Sequence, residues 1–456
     1  MDPPLRASRR GLCLLSFRCR GLPCRLRRIL SPLAQRLDYS SPPPVGLYHV
    51  WPTSHSICDW PLADSAAGIS DGRLLSNLLR ARVNLCFISN ARSEHTWRWT
   101  RYFGAREHEV SLLTLHPAEH LDYGPVRVCV VPRRRSQGIL SQVLDLPGVL
   151  SAARRLIRQV QPDVLHAHTV AGYDWLAMLS GFHPYVVTPW GSDVLVEAKG
   201  SRWRRLLTTK ALRCADLITT DGQHIAEELV RWGVDEDKIK TVYFGTDVDR
   251  FAPGRKDREL IDRFSLDGRR LIASTRSLRA IHDVATLVWA LPLVLRELQD
   301  VALVIIGDGP ERRGLEGLAE AIGVSDRIRF VGHVEEQVMI EWLRTVDVYA
   351  SASLSDAGLS ASTAEAMACG LPVVVTDNSD NRRWVIEGVG GFLVPNSAPE
   401  ALAERLLRLL KDEAMRRHFG AFNRRVIEER NNYAKEMERM EALYESLARR
   451  DKEGRQ

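Results

Sequence analysis

Beyond residue 82 the apolar positions gather into short dense runs rich in Val, Ile and Leu, separated by longer amphipathic stretches. Val83–Ile88, His108–Leu115, Val126–Val131, Asp163–His168 and Tyr185–Pro189 are such runs in the first half of the chain. Leu271–Thr275, Val301–Ile306, Ile328–Val334, Asp347–Ser351 and Val373–Val375 form a second set. Runs this short, with no polar alternation, predict strands buried on both faces of a parallel sheet. Between them the period is helical, over Pro147–Gln159, Ala198–Leu217, Asp283–Leu298 and Glu336–Thr345. After Pro395 it is helical over Pro399–Lys411 and again over Ala414–Leu447. Strand and helix alternating across short connections predict doubly wound α/β sheets, with ligand groups just beyond the strand C-termini.

Length turns one such sheet into two. A chain of 456 residues exceeds a single hydrophobic core, and domains of about 150–200 residues are expected. The shift to Pro253-Gly254-Arg255-Lys256-Asp257 marks the joint. The expected division is 83–252 for a first domain, 253–267 for a linker, 268–428 for a second domain, and 429–456 for a final helix. Residues 1–82, with Pro42-Pro43-Pro44 and no sustained period, are read as a poorly ordered extension dispensable to the fold.

Charge and cysteines exclude several classes. The formal net charge is +6, but residues 1–40 hold nine arginines against only Asp2 and Asp38, so the body is close to neutral. Nucleic acid is therefore not the implied partner. The eight cysteines make no C-x-x-C pair, which leaves zinc ribbons and redox motifs unsupported and fits a reducing, cytoplasmic setting. No apolar stretch reaches membrane-spanning length; Gly11–Phe17 is cut short by Arg18 and Arg20.

The strand-end rule singles out Asn90 and His95, His168, and Gly191, Ser192 and Asp193 in the first half, and Arg276 in the second. His166 and His168 stand two apart and share a face of their strand. No third ligand is spaced to make them a metal pair. Ala198–Leu217 interleaves Lys199, Arg202, Arg204, Arg205, Lys210 and Arg213 with Trp203, Leu206, Leu207 and Leu212. Two readings stand: a solvated basic face, or peripheral docking on an anionic membrane surface.

The most informative stretch is Ser355–Val375, SDAGLSASTAEAMACGLPVVV. Ser362-Thr363-Ala364-Glu365 fits a capping box, with Ser362 as N-cap and Glu365 at the third helical position. The loop before it, Gly358-Leu359-Ser360-Ala361, would aim unpaired amides at an anion. With Val301–Pro310 ending in a GDGP turn at Gly307, this stretch resembles the donor-site signature of family-four glycosyltransferases, retaining enzymes of the two-domain GT-B fold; the resemblance covers roughly Val83–Leu447. It implies that Glu365 holds the ribose of a nucleotide-diphosphate sugar and that Gly358–Ala361 and Arg276 hold its diphosphate. The base would lie near Phe330 and His333, and His168 beside the transferred sugar. Gly191–Asp193 would line the acceptor cleft.

Two departures accompany the match. The acid that relatives place eight positions before the glutamate is here Ala357, with Asp356 one step earlier. The lysine that usually assists the arginine is Ile281 or His282, and a neutral histidine can still donate one hydrogen bond. The resemblance implies no cofactor beyond the sugar nucleotide as co-substrate, no metal, and a glycan or lipid-linked acceptor. It implies a cytoplasmic enzyme that could sit on the inner face of the cell membrane. A nucleotide-sugar 2-epimerase of the same fold and a catalytically weak sugar-nucleotide binding protein are the alternatives.

Overall fold

The structure, a computed structural model, describes residues 82–118, 121–132, 139–170, 172–191, 193–197, 202–356 and 358–454. The chain divides into units 1–73 and 74–456, and every described residue lies in the second. The extension expected at 1–82 falls outside the described residues except for Arg82.

Within 82–241, strands and helices alternate: β1 (Asn84–Ile88), α1 (Glu94–Gly104), β2 (Glu109–Thr114), β3 (Arg127–Val130), α2 (Ile139–Val160), β4 (Val164–His168), α3 (Tyr173–Ser180) and β5 (Tyr185–Thr188). The series ends with α4 (Arg202–Cys214), β6 (Leu217–Thr220), α5 (Gln223–Arg231) and β7 (Ile239–Thr241). The strands form one parallel sheet in the order β3-β2-β1-β4-β5-β6-β7. A second series follows: α6 (Arg258–Arg263), β8 (Arg270–Ser274), α7 (Val284–Glu297), β9 (Val301–Ile306), α8 (Arg312–Ala321), β10 (Ile328–Gly332) and α9 (Glu336–Thr345). Then come β11 (Val348–Ser351), α10 (Ala361–Ala368), β12 (Val373–Thr376), α11 (Asn381–Trp384), β13 (Gly391–Val394), α12 (Pro399–Lys411), α13 (Glu413–Arg430) and α14 (Tyr433–Gly454). Its sheet runs β10-β9-β8-β11-β12-β13, again parallel throughout.

Both sheets thus reverse direction once, between β1 and β4 and between β8 and β11, and these reversals are where such sheets bind ligands. The expected two-domain doubly wound architecture holds. Three strands escaped the sequence reading. β6 lies just past the end of the real helix, which stops at Cys214 rather than Leu217; β7 has only three residues; and β13 opens on glycine.

The expected linker at 253–267 is a correction. Leu260, Ile261 and Leu266, with Val248 and Phe251 before them, are buried in the second domain's core alongside Trp342 and Tyr349. The segment is apolar enough to pack, so it is structure rather than tether. Arg424 fixes it further, donating to the carbonyls of Val248, Phe251 and Ala368.

The tail is a second correction. Ala414–Leu447 is not one helix: α13 ends at Arg430 and α14 begins at Tyr433. The break is held by Thr246, whose N–H donates to the Asn431 carbonyl at 2.7 Å and whose carbonyl accepts from Tyr433 N–H at 3.0 Å. From there α14 crosses to the first domain and buries Met437, Met440, Tyr444 and Ala448 in the core around Phe87, Trp99 and Phe103.

Candidate functional site

The second domain builds its site on the loops after β8 and β11. Arg276 follows β8 by two residues, and the loop that carries it is shaped from the far side by the turn after β9. A Cβ on Gly307 (φ +142°) would stand 2.5 Å from the Arg276 carbonyl, and one on Gly309 would strike the Leu278 backbone. Glycine is required at both because backbone passes directly over backbone. Leu278 N–H completes the contact by donating to the Asp308 carbonyl at 2.9 Å. Gly307, which the resemblance places among the donor-binding residues, fixes the loop that carries Arg276.

The guanidinium is half enclosed by three partners. Nη2 donates to Asp356 Oδ1 at 2.5 Å and to His282 Nδ1 at 2.9 Å, and Nη1 donates to Ser362 Oγ at 3.1 Å. The Arg276 and Asp356 side chains are 10% and 7% exposed. Burial raises the Asp356 carboxyl above its ordinary range, and Arg276 opposes the shift. Burial and the positive charges of Arg276 and Arg279 push His282 down to about 4, so at neutral pH it accepts from Arg276 as an uncharged ring.

Helix α10 starts earlier than the capping-box reading placed it. Ser360 is the N-cap, its Oγ accepting from Thr363 N–H at 3.3 Å. The reading chose Ser362 because S-A-S-T offers two serines in register; the residue three beyond the true cap is Thr363, so Glu365 lies in the helix body. Freed from capping, Glu365 is half-buried, and its carboxylate has no hydrogen-bond partner among the described residues. Burial pushes it up to about 7; Arg98 pulls it down, while Glu336 and Glu94 add to the rise. Arg98 and Glu94 both stand on α1 of the first domain, so the two domains already share one electrostatic environment at this carboxyl.

Around the Arg276 loop two buried polar atoms, Ser274 Oγ and Arg276 Nε, lack partners among the described residues, while the Tyr349 hydroxyl is shared among Ser362, Thr275 and Thr363. The amides of Ala361 and Ser362, in the first turn of α10, take no partner among the described residues. Buried groups left unpaired in this way are ones that a polar ligand can complete. Phe330 packs on the second domain's core and its carbonyl accepts from Arg312 Nη2 at 3.2 Å. His333 is exposed beyond Gly332.

The first domain answers with an aromatic floor. His168 closes β4 and is fully buried; burial, and then His95, push it down to about 3. Its ring lies 5.1 Å from Trp99, 4.5 Å from His166 and 5.6 Å from Trp190, and both ring nitrogens are unpartnered among the described residues. The face shared with His166 is as expected, but the two rings differ in role. His166 pairs through Nδ1 with Tyr444 OH at 2.5 Å and through Nε2 with Thr188 Oγ1 at 2.6 Å, which ties the sheet to α14. His95 stacks on Phe244 at 4.6 Å and faces solvent. Asn90 closes its own turn, its Oδ1 accepting from Arg92 N–H at 3.0 Å.

Asp193, in the loop expected to line the acceptor cleft, is 4% exposed, and its carboxylate accepts from the amides of Val170, Trp190 and Val194. It holds that loop in shape. Gly191 takes φ +99° in the same turn, and Ser192 lies outside the described residues.

Contacts that sequence reasoning missed hold the two domains together. Asp380, 2% exposed, accepts from His224 N–H at the start of α5 at 3.2 Å, a carboxylate at the positive end of a helix in the other domain. Arg383 pairs with Glu227 at 2.8 Å. Gly358 lies so close to the β6–α5 turn that a Cβ there would be 2.6 Å from the Asp221 carbonyl. Asp380 follows β12, so the strand-end rule applied to every strand would have found it.

Comparison with known proteins agrees with this geometry. Residues 257–426 match the family model described as Glycosyl transferases group 1, and residues 84–222 match that described as Glycosyl transferase 4-like. The chain is 30% identical over 327 residues to a D-inositol 3-phosphate glycosyltransferase of Xylanimonas cellulosilytica, covering 65% of this chain and 76% of that one. It is also 30% identical over 177 residues to a phosphatidyl-myo-inositol mannosyltransferase of Mycolicibacterium smegmatis, covering 39% of this chain and 44% of that one. The alignment therefore spans three quarters of the first relative and less than half of the second. Among solved structures, sucrose-phosphate synthase from Thermosynechococcus elongatus superposes with a TM-score of 0.69 at 20% identity, over 80% of this chain and 99% of that one. HepE of Anabaena, in complex with UDP, gives 0.68 at 16% identity, over 80% of this chain and all of that one.

Proposed function

Because the chain belongs to glycosyltransferase family 4, with that family's two-domain GT-B fold, we propose that it moves a sugar from a nucleotide-diphosphate sugar to a hydroxyl of a glycan or lipid-linked acceptor, retaining anomeric configuration. In this reading the donor lies on the second domain. Its diphosphate rests on the amides at Leu359–Ala361 and on Arg276, its ribose on Glu365, and its base near Phe330 and His333. His282, uncharged, donates from Nε2 rather than supplying a second positive charge.

One observation carries the reading. Arg276 holds a buried carboxylate, Asp356, through Nη2 and reaches Ser362 in the first turn of α10 through Nη1, so a guanidinium placed for an anion is occupied by an internal one. A diphosphate would take that place, and the displaced Asp356 would turn toward the sugar. As the glycosidic bond breaks, charge grows on the leaving phosphate, and preorganised amides with a guanidinium are suited to bear it. We assign the reaction no divalent cation on that ground. Loss of one such donor costs about 3 kcal/mol of barrier, around a hundredfold in rate. His168, orphaned at both nitrogens, would gain a partner when a sugar hydroxyl reaches it past Trp99 and Trp190. Closure of the domains then keeps water from the donor. Work at the cytoplasmic face of a membrane belongs to the same proposal; no helix among the described residues is long and apolar enough to cross one.

The test is a thermal-shift and calorimetric screen of UDP-, GDP- and ADP-sugars, followed by inositol phosphates and phosphoinositides as first acceptors, since two relatives are named for inositol compounds. Glu365→Ala removes the nucleotide-induced stabilisation and Arg276→Ala weakens it. Turnover persists in chelator. Variants that bind as wild type does, or activity restored only by magnesium, overturn the assignment.

A further inference from the structure

Helix α4 carries a surface that sugar transfer does not use. Its inner face is conventional: Thr208, Ala211 and Leu212 are buried, and Trp175 Nε1 donates to Thr208 Oγ1 at 3.2 Å from α3. Its outer face inverts the usual pattern. Trp203 is 76% exposed, Leu206 59% and Leu207 41%. Spaced i, i+3 and i+4, they form one continuous apolar stripe.

Cations flank that stripe. Arg202, Arg204, Arg205 and Lys210 are all exposed, and no acid occurs from Arg202 to Cys214. Arg205 lies over the Trp232 ring at 5.1 Å. Arg213 is set apart, its guanidinium bound to the carbonyls of Gly233 and Trp232. A basic face alone would stay solvated. A basic face around an exposed tryptophan and two leucines costs free energy in water and gains it at an interface that is apolar within and anionic at its edge.

We propose that α4 docks on an anionic bilayer, with Trp203, Leu206 and Leu207 entering the boundary between headgroups and acyl chains and the flanking cations meeting lipid phosphates. Charge complementarity selects this occupant, because the helix offers a phosphate surface only positive groups. The helix connects β5 to its parallel neighbour β6 and so begins on the side of the sheet where the strand C-termini lie. The apolar stripe therefore borders the acceptor side, and a docked enzyme would meet a lipid-linked acceptor in the plane of the membrane. That last consequence rests on the proposed transfer reaction; the docking itself does not.

Flotation of the full chain with vesicles tests it. The expected result is binding to phosphatidylcholine mixed with phosphatidylglycerol, little binding to phosphatidylcholine alone, and release as salt is raised. Each of Arg202, Arg204 and Lys210 changed to Gln lowers the partition coefficient about fivefold. Trp203→Ser with Leu206→Ser and Leu207→Ser abolishes stable binding, while nucleotide-induced stabilisation is kept in all four variants, so the fold and donor site are intact. Wild-type flotation by the triple Ser variant, equal binding to both vesicles, or a salt-resistant dimer lost in that variant overturns the proposal. Failure of the donor screen with vesicle binding preserved would strike the transfer reading instead.

Discussion

Replacing Asp356 by Asn should make the enzyme bind nucleoside diphosphates more tightly. In the unliganded protein this carboxylate holds the Arg276 guanidinium at 2.5 Å, with both side chains nearly excluded from water. A diphosphate that uses Arg276 must first break that pair. A charge-assisted hydrogen bond of this kind is worth about 1.5–3 kcal/mol net, so removing the competitor should raise affinity roughly tenfold to a hundredfold. The substitution keeps the shape and one acceptor oxygen while deleting the negative charge. It leaves Arg276 buried without a counter-ion, so the free protein should lose stability, by about 3–5 kcal/mol if the site stays dry, and regain it on ligand binding. Turnover should fall, because the displaced carboxylate would no longer face the sugar. Calorimetry with UDP and GDP on wild type and Asp356→Asn, paired with thermal melts, reads all of these. Equal or weaker nucleotide affinity in Asp356→Asn would mean that carboxylate and diphosphate do not compete for Arg276, and the donor site would have to be placed elsewhere.

Glu365 titrates near 7 in the unliganded protein, so nucleotide affinity should improve as pH rises from 6 to 8 and the carboxylate becomes available to the ribose hydroxyls; Glu365→Gln should flatten that part of the profile, and an unchanged slope refutes the role. Gly358→Ala puts a methyl 2.6 Å from the Asp221 carbonyl, so domain closure should suffer. Turnover should drop while calorimetric donor affinity changes little, and unchanged turnover would mean that the loop yields freely. Tyr444→Phe removes the partner of His166 Nδ1 and of Trp99 Nε1, both buried; a chemical denaturation series should show a loss of about 1–3 kcal/mol, and no loss would mean that the contact is not holding α14 in place.

Much of the scaffold could be read from the residues alone, because β-branched runs such as Val301–Ile306 have no reasonable home except a sheet covered on both sides. The strand-end rule likewise singled out Arg276, and the family resemblance pointed to Asp356, which Arg276 binds. What they missed depends on distant parts of the chain. That Gly307 shapes the Arg276 loop follows from the Arg276 backbone passing above it. That Asp193 turns inward follows from three amides converging on its carboxylate. The latch between Asp380 and His224 joins residues 156 positions apart, and no local period announces it. The start of α10 was misjudged for a different reason: Ser360 and Ser362 are equally good caps on paper, and only the backbone decides between them.

Helix α14 supplies Met437, Met440 and Tyr444 to the core around β1 and β4, so the amino-terminal sheet is sealed by residues synthesised only after the second domain. During translation that sheet must wait, its inner face uncovered, until the whole of the second domain has been made. A stop near residue 430 would therefore damage the domain that precedes it in the chain rather than the one it truncates.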